Sequence, residues 1–251
     1  MSSFLSDNFF VTALVLGFCA QMIGSSLGMA YSVTCSSVLL AMGIPPAMAS
    51  ATVHTSEVAN RLFSGLSHFR FGNVDMRIFK RLALFGMAGA LCGALVVTSL
   101  PVKLLRPLVA IMLLMMGLRI LRMAFFIVRP EQEPTRLGPL GFIGGMVDVI
   151  GGGGWGPVVT STLMLRGNAG HLVVGSINFA KFFVAVVESL ALLALVKSPL
   201  WIIIGGLVTG GLIASPLAAW GCRRLPPKTM MVAVGFLVCG LSIRTLSRIW
   251  L

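Results

Sequence analysis

The sequence predicts an all-α multispanning membrane protein. It is expected to consist of two inverted-topology repeats of about five helical segments each, with broken or re-entrant helices at the glycine-rich stretches. Three observations lead there. First, 57% of the 251 residues are hydrophobic and only 10% charged, with a mean hydropathy of +0.99; soluble domains carry about 25% charged residues. Second, apolar runs recur along the whole chain. Third, the two halves match each other without gaps over a long window.

The apolar runs fall at 9–27, 30–43, 46–67, 82–99, 105–128, 139–150, 156–166, 170–196, 200–220 and 229–247. A straight span takes about 20 residues. The runs 30–43, 139–150 and 156–166 are shorter. Short, glycine-interrupted segments at matching positions of two halves are the pattern of broken helices and re-entrant hairpins. Residues 148–167, DVIGGGGWGPVVTSTLMLRG, carry the strongest interruption. Each glycine from Gly151 to Gly154 costs about 1 kcal/mol against alanine inside a helix, and Pro157 adds a further break.

Sliding residues 17–58 by 124 positions onto 141–182 superposes Gly17, Phe18, Met22, Gly28, Ser37, Leu39 and Gly43 on identical residues. Such a window holds roughly three or four identities by chance for this composition. Tyr31 falls on Trp155 and Thr52 on Ser176. The repeats are therefore expected at 1–128 and 139–251, joined by a cytoplasmic linker at 129–138.

Nineteen Lys+Arg face seven Asp+Glu. In a soluble protein that balance would suggest nucleic acid, but here the basic residues sit between apolar runs, where they set topology. Arg70, Arg77, Lys80 and Arg81 form one cluster, Arg122, Arg129 and Arg136 a second, and Arg223, Arg224 and Lys228 a third. All three are expected on the cytoplasmic face. Lys103, Arg106, Lys197, Arg244 and Arg248 fall on the other side. Each half then has an odd number of crossings, which puts both termini on the non-cytoplasmic side. The N-terminus MSSFLSDNFF has no positive n-region, so the first apolar run is expected to stay in the membrane. Cys19, Cys35, Cys92, Cys222 and Cys239 show no CxxC spacing and read as packing residues.

Polar residues inside the membrane face protein or water. Gln21, Ser25, Ser26, Tyr31 and Ser32 flank the first break; Asp148, Gly151, Gly152, Gly153, Gly154 and Trp155 form the second. Broken helices free amide N–H groups whose partial positive charge accepts anions. The glycines thus either cradle an anion or merely let helices approach closely. A second polar row follows in each half: His54, Glu57, Asn60 and Arg61 on one helix, Ser176, Asn178 and Lys181 on another. The same offset superposes His54 on Asn178 and Glu57 on Lys181. These opposite charges either form a structural ion pair or leave Lys181 to hold an anion. His54 is either a hydrogen-bonded packing residue or a group that titrates near neutrality. Glu188, seven residues after Lys181, either joins this row or lies near the outer surface. His68 and His171 sit at segment ends and read as interfacial.

No nucleotide-binding loop, zinc-hydrolase motif, metal-spaced His/Cys cluster or nucleophile elbow occurs. No enzyme activity, metal or cofactor is expected, and no nucleic-acid partner.

The stretches GFCAQMIGSSLGMAYSVTCSSVLLAMGIPPAMASATVHTSEVANRLFSG and GFIGGMVDVIGGGGWGPVVTSTLMLRGNAGHLVVGSINFAKFF repeat one plan. Each has a glycine-rich break, a short helix, a turn and a long Thr/Ser-bearing helix. In this the chain resembles the TauE/SafE sulfite exporter family over nearly its whole length. The first break, GSSLGMAY, is poorer in glycine than is usual there. The resemblance implies a bacterial-type inner-membrane carrier for sulfite or organosulfonates.

The expected function is therefore a secondary transporter, an exporter, of a small sulfur-containing oxyanion by alternating access. A channel-like anion pathway and a non-transporting partner subunit are the alternatives. Backbone amides at Ser25–Gly28 and Gly151–Gly154 would hold the anion's oxygens. Thr52, His54, Ser176 and Asn178 would add donors and Lys181 charge, with Tyr31 and Trp155 also among the substrate-binding candidates. Glu57, His54 and Asp148 are the candidates for a coupling proton.

Overall fold

A computed structural model describes residues 2–27, 29–125, 136–165, 170–196, 200–221 and 227–250. Among them the secondary structure is entirely helical. The helices are α1 (Ser2–Leu27), α2 (Tyr31–Ala41), α3 (Pro46–Arg70), α4 (Met76–Ser99), α5 (Val102–Phe125) and α6 (Leu137–Gly151). A π-helical stretch, Gly156–Thr160, runs directly into α7 (Ser161–Leu165). Then come α8 (Gly170–Leu195), α9 (Trp201–Gly221) and α10 (Pro227–Trp250). Each predicted apolar run corresponds to one of these segments. The expected linker at 129–138 lies mostly outside the described residues, and Leu137 and Gly138 already belong to α6.

Among the described residues, four stretches are long and apolar enough to cross a membrane: Met76–Ser99, Val102–Phe125, Val174–Leu195 and Met231–Ile249. Their outward faces carry large apolar residues such as Leu84, Leu95, Ile111, Leu118, Leu190 and Phe236. Exposed hydrocarbon on this scale suits lipid, not water. The chain is a multispanning membrane protein.

Local chemistry sets the helix ends. Asp75 caps α4, its carboxylate accepting the N–H groups of Arg77 (2.7 Å) and Ile78 (3.4 Å). Pro46 and Pro227 open α3 and α10, where a missing N–H costs nothing. Gly152 ends α6 in the left-handed region (φ 66°), which glycine tolerates best. The break is narrower than the sequence implied. Trp155 is already helical, and Pro157 lies within the first turn of the resumed helix.

The helices pack in pairs that cross between the halves: α1 on α9, α6 on α4, α3 on α8 and α5 on α10. Exchanging the halves maps this set of pairs onto itself. Small residues make the closest approaches. Gly17 of α1 lies against the backbone of Leu207, and Gly141 of α6 against that of Leu82.

The short helices do not cross the bundle; they turn back. Tyr31 packs on Gly24, and Leu39 and Met42 return to the level of Phe9 and Ala13. α1 and α2 thus form a hairpin. On the other side Trp155 and Val159 fold back onto Gly144, so α6 and the helix after the break form a second hairpin. The two enter from opposite ends of α5. Near one end Arg106 reaches the Leu40 carbonyl at 3.3 Å. Near the other Arg119 donates to Ser161 Oγ (2.9 Å) and Thr162 Oγ1 (3.0 Å). The tips meet in the interior: Gly153 against Val33, and Gly156 against Met29 and Ala30.

Candidate functional site

Beside the hairpin tips, α3, α6 and α8 bring together a buried cluster of charges. His54, Glu57, Asp148 and Glu188 have no exposed surface, and Lys181 is 1% exposed. Lys181 occupies the centre. Its ammonium donates to Asp148 Oδ2 and, at 2.5 Å, to Glu188 Oε2, and lies 3.4 Å from Glu57 Oε2. The expected approach of Glu57 and Lys181 is present. Glu188 belongs to the row rather than to the surface.

Arg61 closes the cluster from one side. Its Nε and Nη2 donate to Glu57 Oε1 at 3.2 and 2.9 Å, and Nη1 donates to Asn178 Oδ1 at 2.8 Å. A fork held on two residues in this way orients both. Asn178 is therefore tied to the cluster through Arg61, while its own Nδ2 donates to the Val174 carbonyl at 2.9 Å.

His54 reads the protonation of the site. Nε2 faces the Asp148 carbonyl at 3.2 Å, an acceptor only, so it carries hydrogen. Nδ1 faces Glu188 Oε2 at 3.1 Å and Glu57 Oε2 at 3.3 Å. Contact with these oxygens requires a further proton, on the imidazole or on one of the carboxyls. Charge balance asks for the same proton. Three carboxylates face only two permanent cations, Lys181 and Arg61, and burying an unpaired charge is costly. His54, Asp148 and Glu188 are also close enough together to surround a metal ion, but the Lys181 ammonium stands among them.

The glycine break borders this cluster. Asp148 ends the straight part of α6, and its backbone carbonyl accepts the N–H groups of Gly152 and Gly153. Its Oδ1 accepts the N–H of Trp155 at 3.0 Å, where the helix resumes. From the first hairpin Ser36 Oγ donates to the Gly152 carbonyl at 2.5 Å. Ser50 Oγ of α3 donates to the Val149 carbonyl at 2.6 Å. Gly151 through Gly154 are buried, and a void of about 10 Å³ beside Gly151 and Gly152 has room for about one water. In this conformation the stretch is closed.

The other sequence candidates are dispersed. Tyr31 is buried at the start of α2, its hydroxyl 3.0 Å from Ser56 Oγ. Thr52 Oγ1 donates to the Met48 carbonyl of its own helix at 2.7 Å. Ser176 Oγ receives the Asp75 N–H at 2.8 Å, at the start of α4 and away from His54. Gly28 lies outside the described residues, as do the side chains of Ser25 and Ser26.

Sequence reasoning passed over Ser36 and Ser50, whose only signal was a hydroxyl on an otherwise apolar short or long helix. It also passed over Thr34, Ser37 and Thr160, whose buried hydroxyls have no hydrogen-bond partner, like Trp155 Nε1 and Glu188 Oε1. Buried polar atoms without partners are uncommon and ask for an explanation.

The family model for the sulfite exporter TauE/SafE matches residues 13–245. The chain is 39% identical over 246 residues to the probable membrane transporter protein YtnM of Bacillus subtilis (strain 168), covering 94% of this chain and 82% of that protein. It is 29% identical over 266 residues to the probable membrane transporter protein ORF9 of Sinorhizobium sp, covering 96% and 95%. No solved structure matches. With ten helical segments among the described residues, a lipid-suited exterior and a charged interior, the chain is a membrane transporter and belongs to the TauE/SafE sulfite exporter family.

Proposed function

We propose that this transporter moves a small sulfur-containing oxyanion, sulfite or a short organosulfonate, by alternating access, most simply as an exporter from the cytoplasm across the inner membrane. The observation that carries this reading is the buried Lys181 ammonium beside the Trp155 N–H at the tip of a broken helix. A fixed cation next to a helix N-terminus favours an anion. Trp155 Nε1 and the Thr160 hydroxyl are further donors without partners.

The substrate seat lies between the two hairpin tips. Tyr31 borders it from one side, and Gly151–Gly154 with Trp155 from the other. His54 and Asn178 border it through the charge cluster as the halves, 1–128 and 139–251, rock around it, whereas the Thr52 and Ser176 hydroxyls are held by the Met48 carbonyl and the Asp75 N–H and stand apart. The cytoplasmic face carries the Arg70–Arg81 cluster and the 129–138 linker, with both termini on the opposite side. The small void beside Gly151 and Gly152 supports a carrier over an open channel. The extra proton that His54 requires supports proton coupling through His54, Glu57 and Asp148.

The test is uptake into liposomes of the purified chain, across sulfite, thiosulfate, sulfoacetate, taurine and sulfate, with and without a pH gradient. Saturable transport of sulfite or a sulfonate, accelerated by the gradient, is expected. Movement of none of them, or currents far above carrier turnover, would rule the reading out.

A further inference from the structure

The carboxylate of Asp148 stands where the oxyanion of the proposed function would sit. Oδ1 takes the Trp155 N–H at 3.0 Å and Oδ2 takes the Lys181 ammonium. Those are the two positive groups an anion arriving at the break would use. Trp155 is 3% exposed, and its indole Nε1 has no partner. A second donor on the same residue thus remains unsatisfied while the carboxylate holds the first.

The three carboxylates around Lys181 are not equivalent. Glu57 is anchored by Arg61 at 2.9 and 3.2 Å. Glu188 is anchored by His54 at 3.1 Å. Only Asp148 bridges the ammonium and the amide at the break.

We infer that Asp148 is a resident competitor for the anion seat: an oxyanion binds Lys181 and the Trp155 N–H only as the Asp148 carboxylate leaves them, and it leaves as the neutral acid. This rests on the anion-transport reading. The balance is simple. One O–H bond forms on Asp148, with a proton drawn from the aqueous side. One anion replaces one carboxylate, so for a monoanion the charge of the buried cluster does not change. The entry of a charge into this low-dielectric interior is thereby spared its largest penalty. Anion and proton travel together.

The groups that face Asp148 are known. His54 and Glu57 come from α3, with Arg61 behind them, and Lys181 and Glu188 come from α8. α4 meets α6 through Gly86, Gly89 and Gly93, and α5 through Met112 and Met116. Tyr31 and Cys35 of α2 interact with Glu57.

The test titrates the purified full chain with methanesulfonate, whose own charge is constant over the pH range used. Wild-type affinity should tighten by about tenfold per pH unit of acidification until Asp148 is neutral. Asp148→Asn should bind at alkaline pH at least about tenfold more tightly than the wild type and lose the pH slope. Glu188→Gln, which also removes a partner of Lys181 but none of Trp155, should keep the slope. An Asp148→Asn protein with the wild-type slope, or a Glu188→Gln protein that loses it equally, overturns the inference. Should Asp148→Asn fail to fold, the infrared spectrum of the wild type decides: a carboxylic-acid C=O band must appear on binding, and its absence overturns the inference. No binding by any of the three proteins at any pH would instead sink the sulfonate-transport reading itself.

Discussion

Glu57 Oε2 and Lys181 Nζ lie 3.4 Å apart in the interior of the bundle, although they sit at equivalent positions of the two halves. Each half supplies one sign of charge, and neither half alone satisfies its own. Lys181→Met leaves three buried carboxylates around an apolar side chain. The expected loss is about 3–5 kcal/mol, the usual cost of stranding one side of a buried ion pair. It should appear as a lower unfolding temperature in detergent. Adding Asp148→Asn should recover part of it, and a double variant no more stable than Lys181→Met would contradict the pairing.

His54→Ala removes the donor to the Asp148 carbonyl and the proton shared with Glu57 and Glu188. The predicted effect is a destabilisation of about 1–3 kcal/mol from the orphaned groups. Uptake into liposomes should in addition lose its response to an imposed pH gradient. An unaltered gradient response would place the coupling proton elsewhere.

At Gly153 an added Cβ would overlap the backbone of Val33 on the opposite hairpin, whereas at Gly240 it would meet nothing within 4 Å. Gly153→Ala should therefore force the hairpin tips apart and abolish transport or folding. Gly240→Ala, in the interior of α10, should be neutral or stabilising by up to about 1 kcal/mol. Comparison of melting temperatures and uptake rates for the two variants checks this directly.

Single cysteines introduced at Arg70, Lys103 and Arg136, with the native Cys19, Cys35, Cys92, Cys222 and Cys239 replaced by serine, report the topology. Impermeant thiol reagents should reach positions 70 and 136 from the cytoplasmic face only, and position 103 from the other. Labelling of 70 and 136 from opposite faces would break the proposed orientation.

Much of this architecture is legible in the residues. Period, length and glycine placement locate the helices because those signals are local. The 124-residue offset superposed Glu57 on Lys181 in the sequence, and the two meet at 3.4 Å in the structure, as equivalent positions of a repeat would near its axis. Whether α2 and the helix after the break cross or return was not legible, since an eleven-residue apolar run suits either path. The depth of Glu188 was ambiguous for a related reason: spacing fixes its face of α8 but not its height. The hold of Asp148 on the Trp155 N–H, and of Ser36 on Gly152, escaped entirely. Those bonds depend on how a chain bends through four glycines, and nothing in their neighbours' side chains encodes the bend.

The meeting of the hairpin tips has an electrical consequence. In the proposed alternating-access cycle, the contact of Gly153 with Val33 is the division between the two sides. If water fills the approaches during turnover, most of the membrane voltage drops across this thin septum, where one elementary charge is worth about 2.3 kcal/mol per 100 mV. A displacement of a few ångströms by the lysine, the aspartate or a guest ion would then feel nearly the full field.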